Sequence, residues 1–268
     1  MTPLTDRAQL ERARRRAHGL GLADFLHRAA AAEIEERLSE INRTFTSEVV
    51  VSGFPQLWQG LRPNARPHRD EDALDLGAPD LVIHALAMHW MNDPVGQLVQ
   101  AQRALKPDGL FMGVAFGGET LSVLRAALAE AETRVMGGLS PRVAPMGEIR
   151  DLGALLQRAG FSLPVADSVP LDVSYETPLH LLHDLRAMGE TNALAARHRR
   201  FVPRRLFEEV AALYPIEPDG RILARFDLVF LTGWKTHESQ QKPLRPGSAA
   251  TRLADVLGTH ESNPDAES

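Results

Sequence analysis

The side chains that could carry out chemistry are histidines on or near predicted strands and helices. His84 and His89 lie five residues apart, on and just past an apolar run, and Asp93 follows them. That spacing does not bring two imidazoles to one ion, and one carboxylate adds little, so we predict no metal site there. His180 and His183 stand at positions i and i+3 of a helical pattern, which is more typical of surface histidines than of metal ligands.

Nucleophilic catalysis finds little support in the sequence. The chain has no cysteine, which excludes disulfides, thiolate catalysis and cysteine-bound zinc. Ser140 lacks the strand–turn–helix context of a nucleophile elbow. The remaining kind of site is a nucleotide-type cofactor pocket, in which backbone N–H groups at a glycine-rich turn contact the ligand.

The stretch EVVVSGFPQLWQG stands where such a cofactor loop would be. Its β-branched run ends in Ser52 and Gly53. One glycine followed by Phe54 and Pro55 gives a ligand little access to the backbone, and the proline also removes a donor. We therefore predict a structural turn. Asp72 could accept hydrogen bonds from adenine or ribose, although its surroundings, EDALD, are also typical of a solvated turn.

The elements that must position these residues alternate between strand and helix. DLVIHALAMHW is a continuous apolar run, as expected for a parallel strand covered on both faces. Asp93 and Pro94 begin a helix as N-cap and first residue, and the turn KPDG leads to the strand LFMGVAF. The sequence thus predicts a βαβ unit with a right-handed crossover over residues 80–116, and a final strand at 224–234.

Helical patterns account for most of the remaining chain. The segments ETLSVLRAALAEAETRVM, IRDLGALLQRAG, PLHLLHDLRAMGETNAL and PRRLFEEVAALY each predict a helix, whereas SVPLDVSY predicts a strand and RPNARPHRD a loop or edge strand. Composition turns polar after Lys235. We expect a helical segment at 1–45, an α/β domain at 46–235 and an extended tail at 236–268.

Composition and charge exclude several classes of partner. A formal net charge of −5 gives no reason to expect nucleic acid, and the arginine-rich stretches around residues 12–16 and 197–205 are predicted to be solvated helix faces. The longest apolar stretch, LVIHALAMHWM, is about half of what spans a bilayer. The first residues lack an apolar signal core, so we expect a cytoplasmic protein without a membrane span.

Several of these segments resemble a known family. DLVIHALAMHWMNDPVGQLVQAQRALKPDGLF resembles the fourth-strand to fifth-strand region of class I S-adenosylmethionine-dependent methyltransferases, in the branch of the malonyl-carrier-protein methyltransferase of biotin synthesis. GGETLSVLRAALAEAE, GGLSPRVAP, LRAMGETNAL and LTGWKTHESQQKPLRPGSA are similar to α-proteobacterial and mitochondrial proteins related to a respiratory complex I assembly factor, whose mitochondrial member is regarded as an arginine hydroxylase. The resemblance covers about residues 80–258. It implies a Rossmann-like α/β sheet, mostly parallel, with a final antiparallel strand.

The chain departs from this family near its first strands. Members carry D-x-G-x-G-x-G after the first strand and an acid after the second, whereas here EVVVSGFPQLWQG replaces the motif and about 27 residues separate Gly53 from the fourth-strand segment. The resemblance therefore implies a truncated first α/β unit. The cofactor contacts that it implies are Ser52, Gly53, Asp72, His84, Ala85 and Leu86. The substrate or lid residues that it implies are His89, Trp90, Arg186, Glu190 and Asn192, with a helical lid at about 176–214.

Three functions remain open on the sequence. The first is a methyltransferase that holds S-adenosylmethionine in a reduced pocket. The second is a non-enzymatic assembly or chaperone-like factor with a protein client, and the third is a hydroxylase on the same fold. Any cofactor would be S-adenosylmethionine, and a small-molecule or carrier-protein substrate stays open. The missing glycines favour the second function and predict weak or absent binding of S-adenosylmethionine.

Overall fold

The computed structural model describes residues 3–70, 73–238 and 240. Met1–Thr236 form one compact unit and His237–Ser268 a second, of which only 237, 238 and 240 are described. The helices are α1 (Arg7–Gly19), α2 (Phe25–Glu40), α3 (Pro55–Leu61), α4 (Pro94–Ala104), α5 (Ser122–Met136), α6 (Ile149–Arg158), α7 (Pro178–Ala187) and α8 (Arg204–Leu213), with a 3-10 turn at Met88–Trp90. The strands are β1 (Glu48–Ser52), β2 (Arg66–Arg69), β3 (Leu81–Ala85), β4 (Leu110–Gly117), β5 (Phe161–Tyr175) and β6 (Ile222–Lys235).

These six strands form one sheet in the order β2-β1-β3-β4-β6-β5. β1 pairs in parallel with β2 and β3, and β3 pairs in parallel with β4. β6 is antiparallel to both β4 and β5. The three runs that the sequence singled out are therefore neighbours, and the antiparallel final strand that the resemblance implies is confirmed.

Helices cover both faces of the sheet, and the apolar strands fit that arrangement. Val50 of β1 packs with α2, α5, α7 and α8 on one face, in a cluster that includes Leu26, Leu124 and Leu181. Val49 and Val51 pack on the other face with α4 and α6. Because side chains alternate along a strand, a β-branched run buried on both faces needs no polar positions.

The signals for the start of α4 are confirmed. The side chain of Asp93 accepts a hydrogen bond of 2.8 Å from the backbone N–H of Gly96, and Pro94 is the first helical residue. At the end of α6, Gly160 has a φ of +85°, the left-handed conformation expected of the residue after a helix.

The first α/β unit is short, as expected from the sequence. α3 has 7 residues and β2 has 4, with β2 at the sheet edge and Pro67 inside it. An edge strand tolerates proline because one side of its backbone pairs with no neighbour. The segment RPNARPHRD is therefore the edge strand that one of the two sequence interpretations predicted.

Some element boundaries differ from the sequence predictions. The N-terminal helical region is two helices, separated by Gly21 at a φ of +80°. The helix predicted over PLHLLHDLRAMGETNAL ends at Ala187, because Gly189 takes a φ of +79°. The helix predicted over PRRLFEEVAALY begins at Arg204, with Pro203 as its N-cap. The strand predicted at SVPLDVSY is the second half of the longer β5.

Candidate functional site

The carboxyl ends of β1 and β3 meet at one edge of the sheet, where ligands of such sheets bind. Ser52 and Gly53 follow β1 there, and His84, Ala85 and Leu86 close β3. Except for the half-buried Gly53, these residues are buried. Burial lowers the pKa of His84 to about 4, so its ring is neutral at pH 7. The structure thus brings five of the six expected cofactor contacts together.

Arg14 of α1 lies over this edge. Its side chain is 6% exposed, and its two terminal nitrogens donate hydrogen bonds of 2.8 Å to the two carboxylate oxygens of Asp70. A Cβ at Gly53 would overlap the guanidinium group of Arg14. The single glycine of the loop therefore lets an arginine of the same chain approach its backbone. The prediction that this arginine-rich stretch is a solvated face was wrong for Arg14, because a buried carboxylate pairs with it.

Asp70 is the acid that follows β2. Its side chain is 2% exposed, and Arg7 donates a 2.6 Å hydrogen bond to its backbone carbonyl. Burial alone would raise the pKa of Asp70, but the charge and hydrogen bonds of Arg14 hold that pKa below its usual value. Asp72, the acid proposed from the sequence, lies outside the described residues. Sequence reasoning missed Asp70 because proline-rich RPNARPHRD gave no definite strand end.

The resemblance implies that S-adenosylmethionine would contact open backbone at the glycine and a free carboxylate after the second strand. Here the guanidinium group of Arg14 covers Gly53 and occupies both oxygens of Asp70. Phe54 is buried against the rings of His18 and His27, with centroids 5.5 and 5.4 Å away. The residues present do not fit this cofactor, and we assign no reaction step to it.

A separate cavity of about 500 Å³ lies among β6, α5, α7, α8 and the turn at 142–146, and we call it the apolar pocket. That volume is typical of pockets that bind small molecules or side chains. Most of its lining is aliphatic or aromatic, and the lining residues include Trp90, Phe116, Leu124, Leu182, Phe207 and Phe226. Glu190, Arg186 and Asn192, expected from the resemblance to be lid residues, also line it.

Glu190 places a carboxylate in this pocket. Its Oε2 accepts a 2.7 Å hydrogen bond from the indole nitrogen of Trp90 and lies 3.1 Å from Nε2 of His89. No hydrogen bond from the described residues reaches Oε1. Burial alone would raise the pKa of Glu190, but the interactions with His89 and Trp90 hold that pKa below its usual value. The pocket therefore contains a largely buried anion with one available oxygen.

Arg142 and Asn192, which also line the pocket, already have partners, and Arg186 is not enclosed by it. Arg142 pairs with the buried carboxylate of Glu132 at 2.6 Å. Asn192 donates a 2.8 Å hydrogen bond to the carbonyl of Pro141 and accepts one from the N–H of Leu194. Arg186 is exposed. The available charge inside the pocket is therefore that of Glu190.

α7 packs on the domain through Leu181, Leu185 and Met188, which are buried, whereas Leu179 is 55% exposed. Residues 181, 185 and 188 are spaced by four and three positions, so they share one face of α7. Leu179 lies at the apolar pocket instead.

In the described part of the chain, no group of three or more histidine, aspartate or glutamate side chains could hold a metal ion. None of its helices has the length and apolar character needed to cross a bilayer.

Several known proteins are similar in sequence to this chain, although no family model matches it. The protein of Danio rerio named arginine-hydroxylase NDUFAF5, mitochondrial, is 36% identical over 232 residues, or 84% of this chain and 72% of that protein. The human protein of that name is 39% identical over 180 residues, or 66% of this chain and 52% of that protein. A malonyl-[acyl-carrier protein] O-methyltransferase of Methylovorus is 34% identical over 169 residues, or 62% of this chain and 55% of that protein.

The match to the zebrafish protein extends over most of both chains, whereas the chain spans about half the length of the human and Methylovorus proteins. The word mitochondrial belongs to the zebrafish and human names, and the cytoplasmic location expected from the sequence stays a prediction. The chain belongs to the class I S-adenosylmethionine-dependent methyltransferase family, in the branch that holds the NDUFAF5 arginine hydroxylases and the malonyl-carrier-protein O-methyltransferases.

Proposed function

We propose that this protein is an assembly-type factor that binds a protein client by taking an arginine side chain into the apolar pocket. The observation that carries this proposal is the carboxylate of Glu190, whose side chain is only 14% exposed and whose Oε1 accepts no hydrogen bond from the described residues. A buried anion in an apolar cavity is costly unless a cation or several donors accompany it. A cationic ligand with N–H groups supplies both the positive charge and the hydrogen-bond donors.

An arginine side chain matches the pocket better than other cations do. Its guanidinium group is planar and donates in a fixed direction to a carboxylate, whereas a lysine ammonium is more strongly hydrated. Its aliphatic stem can pack on Leu124 and Leu182, and its charge can lie against the rings of Trp90 or Phe226, which line the same cavity. The pocket therefore offers a partner to each part of the side chain.

The names of the relatives support this ligand. The zebrafish and human proteins are named arginine hydroxylases, so an arginine is the group on which those proteins act. The Methylovorus relative is named for a malonyl group carried by a protein. A malonyl carboxylate would meet Glu190 as a like charge, which is unfavourable at short range in a site of low dielectric. The charge of the pocket therefore favours the arginine client over the carrier-protein substrate.

We also propose that α7 and the turn that follows it cover the bound side chain. Leu179, Leu182 and Arg186 of α7, together with Glu190, line one side of the apolar pocket. Arg186 is exposed at its mouth, where it can meet an acidic residue of the client. In this proposal the pocket holds the client, and client binding requires no S-adenosylmethionine.

Two matched peptides test this function. One is acetyl-Ala-Ala-Arg-Ala-Ala-amide, and in the other citrulline, which is neutral and nearly the same shape, replaces arginine. We expect the arginine peptide to bind about tenfold more tightly, because a hydrogen bond between charged groups contributes about 1.5–3 kcal/mol. Chemical-shift titration measures both affinities, and equal affinities would contradict the proposal.

The variant Glu190→Gln tests whether the carboxylate causes this preference. We expect the ratio of the two affinities to fall from about tenfold to near one, because a neutral amide does not attract the guanidinium charge. Glu40→Gln, at the exposed end of α2, is the matched control and should keep the wild-type ratio. Thermal unfolding of both variants checks the fold, and an unchanged ratio in a folded Glu190→Gln protein would exclude this role.

A further inference from the structure

The structure assigns to α1 the role of blocking the nucleoside site, which is the region around Gly53 and Asp70 at the carboxyl ends of β1 and β2. Arg14, paired with Asp70 over Gly53, keeps S-adenosylmethionine out. This inference goes beyond the proposed client binding, because it concerns the strand ends of β1 and β2 and not the apolar pocket. It names two residues, Arg14 and Asp70, that the sequence did not single out as site residues.

The carboxylate at the end of β2 is already fully paired. Asp70 presents two carboxylate oxygens at the end of β2, where ribose hydroxyls would donate to them, and each oxygen already accepts a 2.8 Å hydrogen bond from Arg14. Arg7 lies 3.4 Å from one of these oxygens. An arginine–carboxylate pair with two parallel hydrogen bonds is stronger than bonds from neutral hydroxyls. A ribose therefore cannot replace Arg14 at low cost.

Two glycines let α1 approach the backbone closely. Gly53 has no Cβ, and one placed there would overlap the guanidinium group of Arg14. Gly189, after α7, has a φ of +79°, and a Cβ there would lie 2.9 Å from the Phe54 ring and 3.4 Å from the Cα of Arg14. α1 thus packs onto backbone at both positions. The space above Gly53 is filled by the chain itself.

α1 is anchored by contacts that do not involve Arg14. Residues before the helix bind the segment that follows α7: the N–H of Asp6 donates to the carbonyl of Ala193 at 2.8 Å, and the Asp6 side chain pairs with Arg197 at 3.0 Å. Asn92, just past β3, exchanges hydrogen bonds of 2.8 and 3.1 Å with the backbone of Thr5. These contacts hold α1 at the sheet edge independently of Arg14. Removing the Arg14 side chain therefore opens space without releasing the helix.

Titration with S-adenosylhomocysteine, which presents the same nucleoside without a reactive methyl group, tests the inference. We expect Arg14→Ala to bind it at least about tenfold more tightly than wild type, because the substitution exposes Gly53 and frees the Asp70 carboxylate. Arg15→Ala is the matched control, since Arg15 is the next residue and is exposed, and it should behave as wild type. The double variant Arg14→Ala/Asp70→Asn should lose most of the gain.

Folding is checked in each variant by thermal unfolding, because Arg14→Ala leaves Asp70 buried beside Arg7 alone. If Arg14→Ala fails to fold, Arg14→Gln is titrated in its place, because glutamine keeps a donor for one carboxylate oxygen of Asp70. A folded Arg14 variant that binds no better than wild type would overturn the inference. A gain that persists undiminished in the double variant would overturn the part assigned to Asp70.

Discussion

Arg14 and Asp70 form a buried ion pair whose two members depend on each other. Their side chains are 6% and 2% exposed, and removing one partner of such a pair typically costs about 3–5 kcal/mol because the other charge is left buried. The positive charge of Arg14 lowers the pKa of both Asp70 and Glu190. The nucleoside site and the apolar pocket are therefore electrostatically linked.

His27 makes stability depend on pH. Its Nδ1 accepts a 3.0 Å hydrogen bond from the indole of Trp58, and burial lowers its pKa from 6.5 to about 4. Because the folded pKa lies below the unfolded one, neutral His27 stabilises the fold above pH 6.5, and this contribution is lost as the pH falls towards 4. Between pH 7.5 and 5 the loss is roughly 2 kcal/mol.

We therefore expect His27→Asn, which keeps an acceptor for Trp58 but does not titrate, to weaken this pH dependence by roughly 2 kcal/mol. Urea unfolding at pH 7.5 and pH 5 measures the difference. His180→Asn, at a side chain that is 57% exposed, is the control and should leave the dependence as in wild type. The same loss of stability in His27→Asn and wild type would show that His27 does not cause it.

Among the elements, α4 was predicted most completely from the sequence. Its N-cap, its first proline and its apolar spacing all lie within a dozen residues, so local rules specify it. α7 and α1 differ from α4 in this respect. The end of α7 depends on Gly189 packing against Phe54, and the packing of α1 depends on a carboxylate 56 residues away. Local patterns do not contain such long-range contacts.

The contribution of the Asp93 N-cap of α4 to stability can be tested by substitution. Asp93→Ala should lower the free energy of unfolding by about 1 kcal/mol, because the N–H of Gly96 loses its acceptor. Asp93→Asn keeps a side-chain oxygen and should cost only a few tenths of a kcal/mol. Urea denaturation of the three proteins measures both values. Equal destabilisation by the two substitutions would mean that the lost charge, and not the lost hydrogen bond, matters.

At the scale of the whole molecule, the chain keeps the sheet of its family and changes what lies at the sheet edge. The sequence predicted the central strands β3, β4 and β6, and the resemblance pointed to Trp90 and Glu190, which do meet in the apolar pocket. The sequence also predicted a degenerate cofactor loop at Gly53. It did not predict that Arg14 covers this loop, because Arg14 is one of four arginines within five residues and only the fold shows which of them is buried.

At the sheet edge the chain itself fills the nucleoside site, while the apolar pocket stays open. Calorimetric titration of S-adenosylmethionine into the wild-type protein tests whether the nucleoside site is closed. A bound cofactor would have to break the Arg14–Asp70 pair and would meet only one glycine. We predict a dissociation constant weaker than about 100 μM, or no measurable heat of binding. A dissociation constant near or below about 10 μM would contradict the account, because Arg14 could not then exclude the cofactor.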